Sequence, residues 1–469
     1  MDEALNGKHV LVLGFGRQGK SLVRWLPKQG AKVTLSDRRN MGELADDLLD
    51  FLDEPVSFAL GGHPLELLEG TDILCVSGGV PIDLPIVQAA IEHGIPVVND
   101  AILFLERCPA QVIGITGSAG KTTTTTLVGK MCQADRRKTW VGGNIGQVLL
   151  DDLPEIREGD TVVMELSSFQ LEIAKISPDI SAVLNVTPNH LDRHGTLQRY
   201  AAAKANIFMY QSGNDITLFG ADDLIANSFS EMAPARRGFF SMRRMVTDGA
   251  FMLGRRLAVV GYSSPTGAAR VICERDEIKL RGDHNVLNVL AACAIAGAAG
   301  VSVEAMRKAV LEFRGVEHRL ELVAELAGVQ WINDSIATAP ERVVAALHSF
   351  EEPIILLAGG RDKDLPWSEL AGLAVEKCRA VIAFGEYAAA IVEVMNHARR
   401  GRLGGILTDV KLVEKLDEAV YMAADIAQPG DVVLLSPGGT SFDAYKDFAE
   451  RGEHFRQLVA ELKNQRRQF

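Results

Sequence analysis

The stretch VIGITGSAGKTTTTTLVGKM, residues 112–131, decides how this chain reads. A short apolar run has the make-up of a buried strand; a glycine-rich turn follows, then a lysine, then threonines that open a helix. Strand–turn–helix units of this kind hold phosphate. Glycines let backbone N–H groups face the anion, and the positive end of the helix dipole favours its charge. The general phosphate-loop pattern G-x-x-x-x-G-K-[ST] fails literally, because Ile115 stands five places before Gly120. What remains is T-G-x-x-G-K-T, formed by Thr116, Gly117, Gly120, Lys121 and Thr122. In it Lys121 can neutralise the β and γ oxygens, and the Thr122 hydroxyl can ligate Mg²⁺.

The rest of the chain sets bounds. At 469 residues it exceeds one typical domain, so about two to four are expected. Apolar residues make up 47% and charged residues 23%, the composition of a packed globular protein. With 49 basic against 61 acidic residues the net charge is −12, which disfavours general binding to nucleic acid or anionic membrane. The six cysteines are scattered without a C-x-x-C pair and read as reduced core thiols of a cytosolic protein. The N-terminus MDEALNGKHVLVLG lacks a signal-peptide pattern. The run VLNVLAACAIAGAAGVSV, 286–303, reads as a buried helix and not a membrane span.

Working outward, KHVLVLGFGRQGKSLVRWL (8–26) is a second strand–glycine turn–helix unit, and AKVTLSD follows it, ending at Asp37. With DILCVSGG and IPVVND, the first hundred residues read as an open parallel sheet. GFGRQG (Gly14, Gly16, Gly19) with Asp37 meets the dinucleotide fingerprint, which marks pyrophosphate binding and not hydride chemistry. Arg17, Arg38 and Arg39 suit a phosphorylated nucleotide or a solvated rim. After the central loop, DTVVMELSS, ISAVLNVTPNH and DITLFGADD are strands with polar C-terminal ends, where open parallel sheets bind ligands. GVQWINDS, PIILLAGGRDKD, RAVIAFGE and DVVLLSPGGTSFD build a third segment. The expected class is α/β with three domains: 1–100 Rossmann-like, 101–313 a phosphate-loop ATPase type, and 314–469 Rossmann-like again.

Glu165 ends a strand where a carboxylate can hold Mg²⁺. His190 and His194 have zinc-compatible spacing, but no glutamate follows the first histidine. Lys204 in YAAAKANIF reads by default as a solvated surface lysine. Asn285 and Asn288 lie one helical turn apart, suited to a base or a phosphate.

In order, TGSAGKTT, GGNIG, ELSSFQLE, NVTPNHLDRH, YAAAK, GDHNVLN, EHRLE, NDSIAT and LLSPGGTSFD resemble the Mur ligases over essentially the whole chain. The resemblance implies a cytoplasmic, monomeric, ATP-dependent ligase of cell-wall peptidoglycan synthesis. It would join D-glutamate to UDP-N-acetylmuramoyl-L-alanine through an acyl phosphate, with no nucleic-acid or membrane partner. It implies ATP contacts from Gly117, Ser118, Ala119, Gly120, Lys121, Thr122 and Thr123, with Asn285, Asn288, Arg319 and Asp334 around the adenine nucleotide. Two Mg²⁺ sites would use Thr122, Glu165, His190 and Lys204, the last carbamylated, and Lys121, Glu165, His190 and Lys204 would be the catalytic set. The UDP-sugar would meet Gly14, Arg17, Gln18, Asp37, Arg38, Ser77, Gly78, Asn144, Ser167 and His190. Glutamate would meet Thr338, Lys363, Ser441 and Phe448.

Four positions depart from the family pattern. Ala119 replaces a usual Asn, Ile336 a lysine near the incoming glutamate, Ala339 an Asn, and GGTS the commoner ACAS. Ile336 removes a cation from a site for a dicarboxylate, so Lys363 or Arg361 is expected to supply the missing charge. An L-glutamate-adding ligase and a folylpolyglutamate synthase share the chemistry; a nicotinamide oxidoreductase fused to an ATPase and a non-catalytic nucleotide binder are the other classes open.

Overall fold

The structure, a computed structural model, describes residues 4–51, 54–264, 266–363, 365–401 and 404–465. The first three and last four residues of the expected outer domains thus lie outside the described residues. Two compact units emerge: Met1–Lys279 with Asp283–Phe313, and Leu280–Gly282 with Arg314–Phe469.

The first unit contains two sheets. One comprises β1 (His9–Leu13), β2 (Lys32–Asp37), β3 (Val56–Leu60), β4 (Ile73–Val76) and β5 (Val97–Val98) in the order β3-β2-β1-β4-β5, every pair parallel. HVLVL and ILCV are near-continuous apolar runs because helices cover both faces. The strand order reverses between β1 and β4, which opens a crevice at their C-terminal ends.

The second sheet has β6 (Gln111–Thr116), β7 (Thr139–Gly143), β8 (Thr161–Glu165), β9 (Ile180–Val183), β10 (Ile216–Gly220), β11 (Arg236–Ser241), β12 (Gly249–Leu253), β13 (Arg256–Gly261) and β14 (Gly267–Glu274). The order is β14-β13-β12-β11-β10-β9-β6-β8-β7. Strands from β7 to β12 pair in parallel, and β12–β13–β14 is an antiparallel extension that the sequence reading did not anticipate. The chain crosses β6 between β8 and β9, so the loop after β6 sits at the switch in strand order. The Ala-rich run expected as one helix is a buried helix, Asp283–Ala298, followed after a turn by a second, Val303–Glu312. Positive φ at Gly300 (77°) separates them, a conformation glycine enters without a Cβ penalty.

The second unit has β15 (Glu321–Leu326), β16 (Val329–Asn333), β17 (Ile354–Gly359), β18 (Cys378–Phe384), β19 (Asp409–Leu412) and β20 (Val432–Gly438), in the order β15-β16-β20-β17-β18-β19. All pairs but β15–β16 are parallel. Two apolar clusters, one on each face, hold it; Phe455, Leu458 and Val459 of the helix Phe448–Gln465 belong to one of them. The six cysteines form no disulfide and five are buried. Among the described residues no helix is long and apolar enough to cross a membrane.

Candidate active site

The loop between β6 and the helix Lys121–Ala134 is held open from outside. Gly120 takes a left-handed φ of 84°, and a Cβ there would lie 2.2 Å from Asn288 Oδ1. Asn288 is buried against the turn and donates to Asn285 Oδ1 at 3.2 Å, so the structure brings together both asparagines and the loop. Asn185, which sequence reasoning missed, grips Ala119 twice: Ala119 N donates to its Oδ1 (2.8 Å) and its Nδ2 donates to Ala119 O (3.1 Å). The usual Asn side chain at 119 is therefore not needed to shape the loop. Ser118 Oγ donates to Thr187 O (3.0 Å) and contacts Tyr200 Oη (3.1 Å). Asn185 and Thr187 follow β9, and their position at a polar strand end was the one signal for them.

Two ammonium groups converge on one carbonyl. Lys121 Nζ donates to Gly117 O at 2.8 Å, and Lys204 Nζ donates to the same oxygen at 2.9 Å. Lys204 is 1% exposed, which corrects its default reading as a solvated lysine. It projects from the helix Leu197–Met209, whose small neighbours Ala201, Ala203 and Ala205 let that helix press against the end of β6. Burial first, and then the Lys121 charge, pull the Lys204 ammonium well below the ordinary lysine range; Glu165 opposes this in part. The Tyr200 ring lies 4.6 Å from Lys204 Nζ and 6.3 Å from the His190 ring, so one aromatic face links these two expected ligands.

Glu165, 2% exposed at the end of β8, is strung between two donors. Thr122 Oγ1 donates to its Oε2 and Asn144 Nδ2 to its Oε1, both at 2.9 Å. A hydroxyl and a carboxylate fit Mg²⁺, which keeps water and takes few protein ligands. Among the described residues no cluster of three or more His, Cys, Asp or Glu residues suited to a metal occurs. His194 does not join His190 as a zinc pair: it is buried, meets Ser168 Oγ at 3.0 Å and stacks on Phe169.

Between the two sheets of this unit lies a narrow crevice lined by Ser77, Gly78, Val80, Asn99, Phe169 and Arg193, among others. Gly14 (φ 87°) is required there, since a Cβ would meet Val80 Cγ2 at 2.7 Å. Gly78 N donates to Gln18 Oε1 at 2.9 Å. Arg17 bridges the sheets: Nη1 donates to Gly146 O (2.5 Å) and Nη2 to Asn144 O (2.8 Å), so it fixes the loop that presents Asn144 to Glu165. Burial would raise Asp37, but hydrogen bonds from the Arg39 side chain and backbone and from Phe15 N prevail and hold its carboxyl at about 2. Arg39 is therefore engaged with Asp37, whereas Arg38 is exposed. Ser167 caps the helix Ser168–Leu171 in a reciprocal capping box with Gln170.

In the second unit, Asp334 at the end of β16 is buried; burial raises its carboxyl to about 7 against the Ser436 Oγ (2.8 Å) and Leu320 N (3.2 Å) hydrogen bonds. Arg319 lies close enough for its charge to be felt there. Lys363 Nζ donates to Thr338 Oγ1 at 3.2 Å, and Ser441 is buried after β20. The loops after β17 and β20 are laced together, with Arg361 N donating to Thr440 O (2.9 Å) and Thr440 N to Arg361 O (2.8 Å). Phe448 opens the C-terminal helix and its O accepts from Ser335 Oγ at 2.7 Å. Arg361 Nε is ion-paired with Glu386 at 2.9 Å.

Comparison with known proteins decides the family. Residues 8–99 match the Mur ligase MurD-like N-terminal domain, 115–296 the Mur ligase middle domain and 318–439 the Mur ligase glutamate ligase domain. The chain belongs to the Mur ligase family. Among the family's curated members, the UDP-N-acetylmuramoylalanine–D-glutamate ligase of Clostridium novyi is 39% identical, covering 98% of both chains. The protein of that name from Symbiobacterium thermophilum is 42% identical over 96% of this chain and 97% of its own. Among solved structures, UDP-N-acetylmuramate-alanine ligase MurC of Thermotoga maritima shares the fold, with a TM-score of 0.56 and 21% identity over 97% of this chain and 99% of that one.

Proposed function

We propose that this chain is the ATP-dependent, ADP-forming ligase that adds D-glutamate to UDP-N-acetylmuramoyl-L-alanine in peptidoglycan precursor synthesis. The observation that carries the reading is the Thr122–Glu165–Asn144 chain at the mouth of the phosphate loop. It stands in a chain about two-fifths identical, end to end, to ligases named for that reaction. The reading includes the domain limits 1–100, 101–313 and 314–469, and a monomer acting in the cytoplasm on small molecules.

The chemistry answers a defect of carboxylates, whose oxygen is a poor leaving group. A lactyl-alanine carboxylate oxygen attacks the γ-phosphorus and ADP departs; the glutamate amine then adds to the acyl carbon, and the tetrahedral intermediate expels phosphate. Loop N–H groups and Lys121 spread the charge on the transferring phosphoryl group, so the protein contributes mainly position and charge. Mg²⁺ held by Thr122 and Glu165, with a second ion at His190 and Lys204, would neutralise phosphate oxygens. Lys204 suits carbamylation: a buried amine sharing Gly117 O with Lys121 is pushed toward the neutral form, whose nitrogen adds to CO₂ and releases a proton. The product is an anion where two cations crowded each other.

Gln18, Ser77 and Gly78 would flank the UDP moiety, and Asn285 and Asn288 the adenine nucleotide. Steady-state ADP release with UDP-N-acetylmuramoyl-L-alanine tests the assignment. Turnover with D-glutamate and not L-glutamate is expected; turnover only with L-glutamate would move the specificity, with Ile336 as its mark.

A further inference from the structure

Arg451 is fully buried, yet its hydrogen bonds run only to neutral oxygens. Its Nε donates to Ser335 Oγ (3.0 Å), Nη2 to Ser335 O (2.9 Å), and both Nη atoms to Gly439 O (3.3 Å). Among the described residues no carboxylate accepts a hydrogen bond from it. Asp443 and Tyr445 favour its charge from a distance, and burial pulls it down only to about 10, so it stays a cation at neutral pH. Burying a cation without a bonded counter-ion is costly, so the loops whose oxygens solvate the guanidinium are tied to it.

Its partners lead into the loops expected to meet glutamate. Ser335 leads into the loop carrying Ile336 and Thr338, and Gly439 into that carrying Ser441. A Cβ on Gly360 would sit 3.0 Å from Arg451 Nη1, so the loop bearing Lys363 packs on the same guanidinium. The charge also reaches Lys363, whose ammonium is lowered by burial first, then by Arg342, and further by Arg451, against the pull of Glu341.

Resting on the glutamate-ligase reading, we propose that Arg451 is the positioning residue of the amino-acid pocket. It clamps the loops that carry Thr338, Lys363 and Ser441, and it supplies the fixed positive charge that Ile336 lacks. Arg361, already paired with Glu386, does not fill that role.

The test compares Arg451→Gln, Arg451→Lys and Ser335→Ala with Leu458→Ala, a control that loosens the same helix from its apolar side. The glutamate KM is expected to rise on the order of tenfold in Arg451→Gln, with the ATP and UDP-sugar KM values within twofold, the pattern of lost ground-state binding. The preference for D-glutamate over D-glutamine should fall in Arg451→Gln and be retained in Arg451→Lys. Ser335→Ala, which deletes one hydroxyl, should raise the glutamate KM a few-fold and carries the test should the arginine variants not fold. An unchanged glutamate KM in folded Arg451→Gln or in Ser335→Ala overturns the proposal. So does an equal loss of glutamate preference in Leu458→Ala. A wild-type protein inert with D-glutamate would instead sink the ligase assignment itself, a distinct outcome.

Discussion

Replacing Gly120 with alanine should injure the phosphate loop twice. The residue sits at φ 84°, a conformation that costs an L-residue roughly 1–2 kcal/mol. The new Cβ would also stand 2.2 Å from Asn288 Oδ1 and 3.1 Å from its Cγ, inside van der Waals contact. Asn288 is buried, so it yields only by giving up its bond to Asn285, worth about 1 kcal/mol, or by driving the loop off Asn185. The sum is about 2–3 kcal/mol. A double-mutant cycle separates the parts: in Gly120→Ala/Asn288→Ala the clash is gone and only the strained φ remains. Urea unfolding of the four proteins should then show the double variant about 1 kcal/mol more stable than additivity predicts. Strict additivity would refute the contact, and an unaltered ATP KM in Gly120→Ala would refute the claim that this turn shapes the phosphate site.

Arg17→Met should free the 143–146 loop and raise the UDP-sugar KM on the order of tenfold, since charged hydrogen bonds contribute roughly 1.5–3 kcal/mol; initial-rate kinetics check this. Asp334 is held near 7 when folded, so the folded state binds the extra proton between its ordinary value and about 7, and its contribution to stability falls as pH rises through that window. Asp334→Asn should therefore gain on wild type by up to about 1.4 kcal/mol per pH unit between pH 5 and 7, and a flat difference in urea unfolding would contradict it. Lys363→Ala should raise the glutamate KM severalfold while Arg361→Ala leaves it within twofold, because only Lys363 reaches Thr338. Gly452→Ala places a Cβ 2.2 Å from His318 Nδ1 and should lower the melting temperature of the second unit by several degrees, read from the Trp331 and Trp367 fluorescence.

The central parallel strands of all three sheets were legible because burial on both faces leaves continuous apolar runs such as VIGIT, VVLL and IILL, whereas β3 and β19, partly exposed, leave none and went unread. β14 was not: GAARVICE keeps its first five residues exposed, so no run marks it. Glu165 was readable as a polar strand-end residue and Asn144 only through the family resemblance, yet their hydrogen bond belongs to tertiary packing. Lys204 misread for the opposite reason. Alanines around a lysine look like a solvated helix face, but small side chains are also what lets a helix approach closely enough to bury the lysine. Arg451 hid in the charge-rich FAERGEH, where only Gly452, a costly residue inside a helix, signalled a close approach.

The central claim is carboxylate activation by phosphoryl transfer, and isotope transfer tests it most directly. UDP-N-acetylmuramoyl-L-alanine labelled with ¹⁸O in its alanyl carboxylate is turned over with ATP-Mg²⁺ and D-glutamate, and the released phosphate is examined by mass spectrometry. An acyl phosphate delivers one labelled oxygen to each phosphate. Phosphate without label would mean that ATP is hydrolysed by water, and the account of the Lys121–Glu165–Lys204 site as a ligase centre would fall.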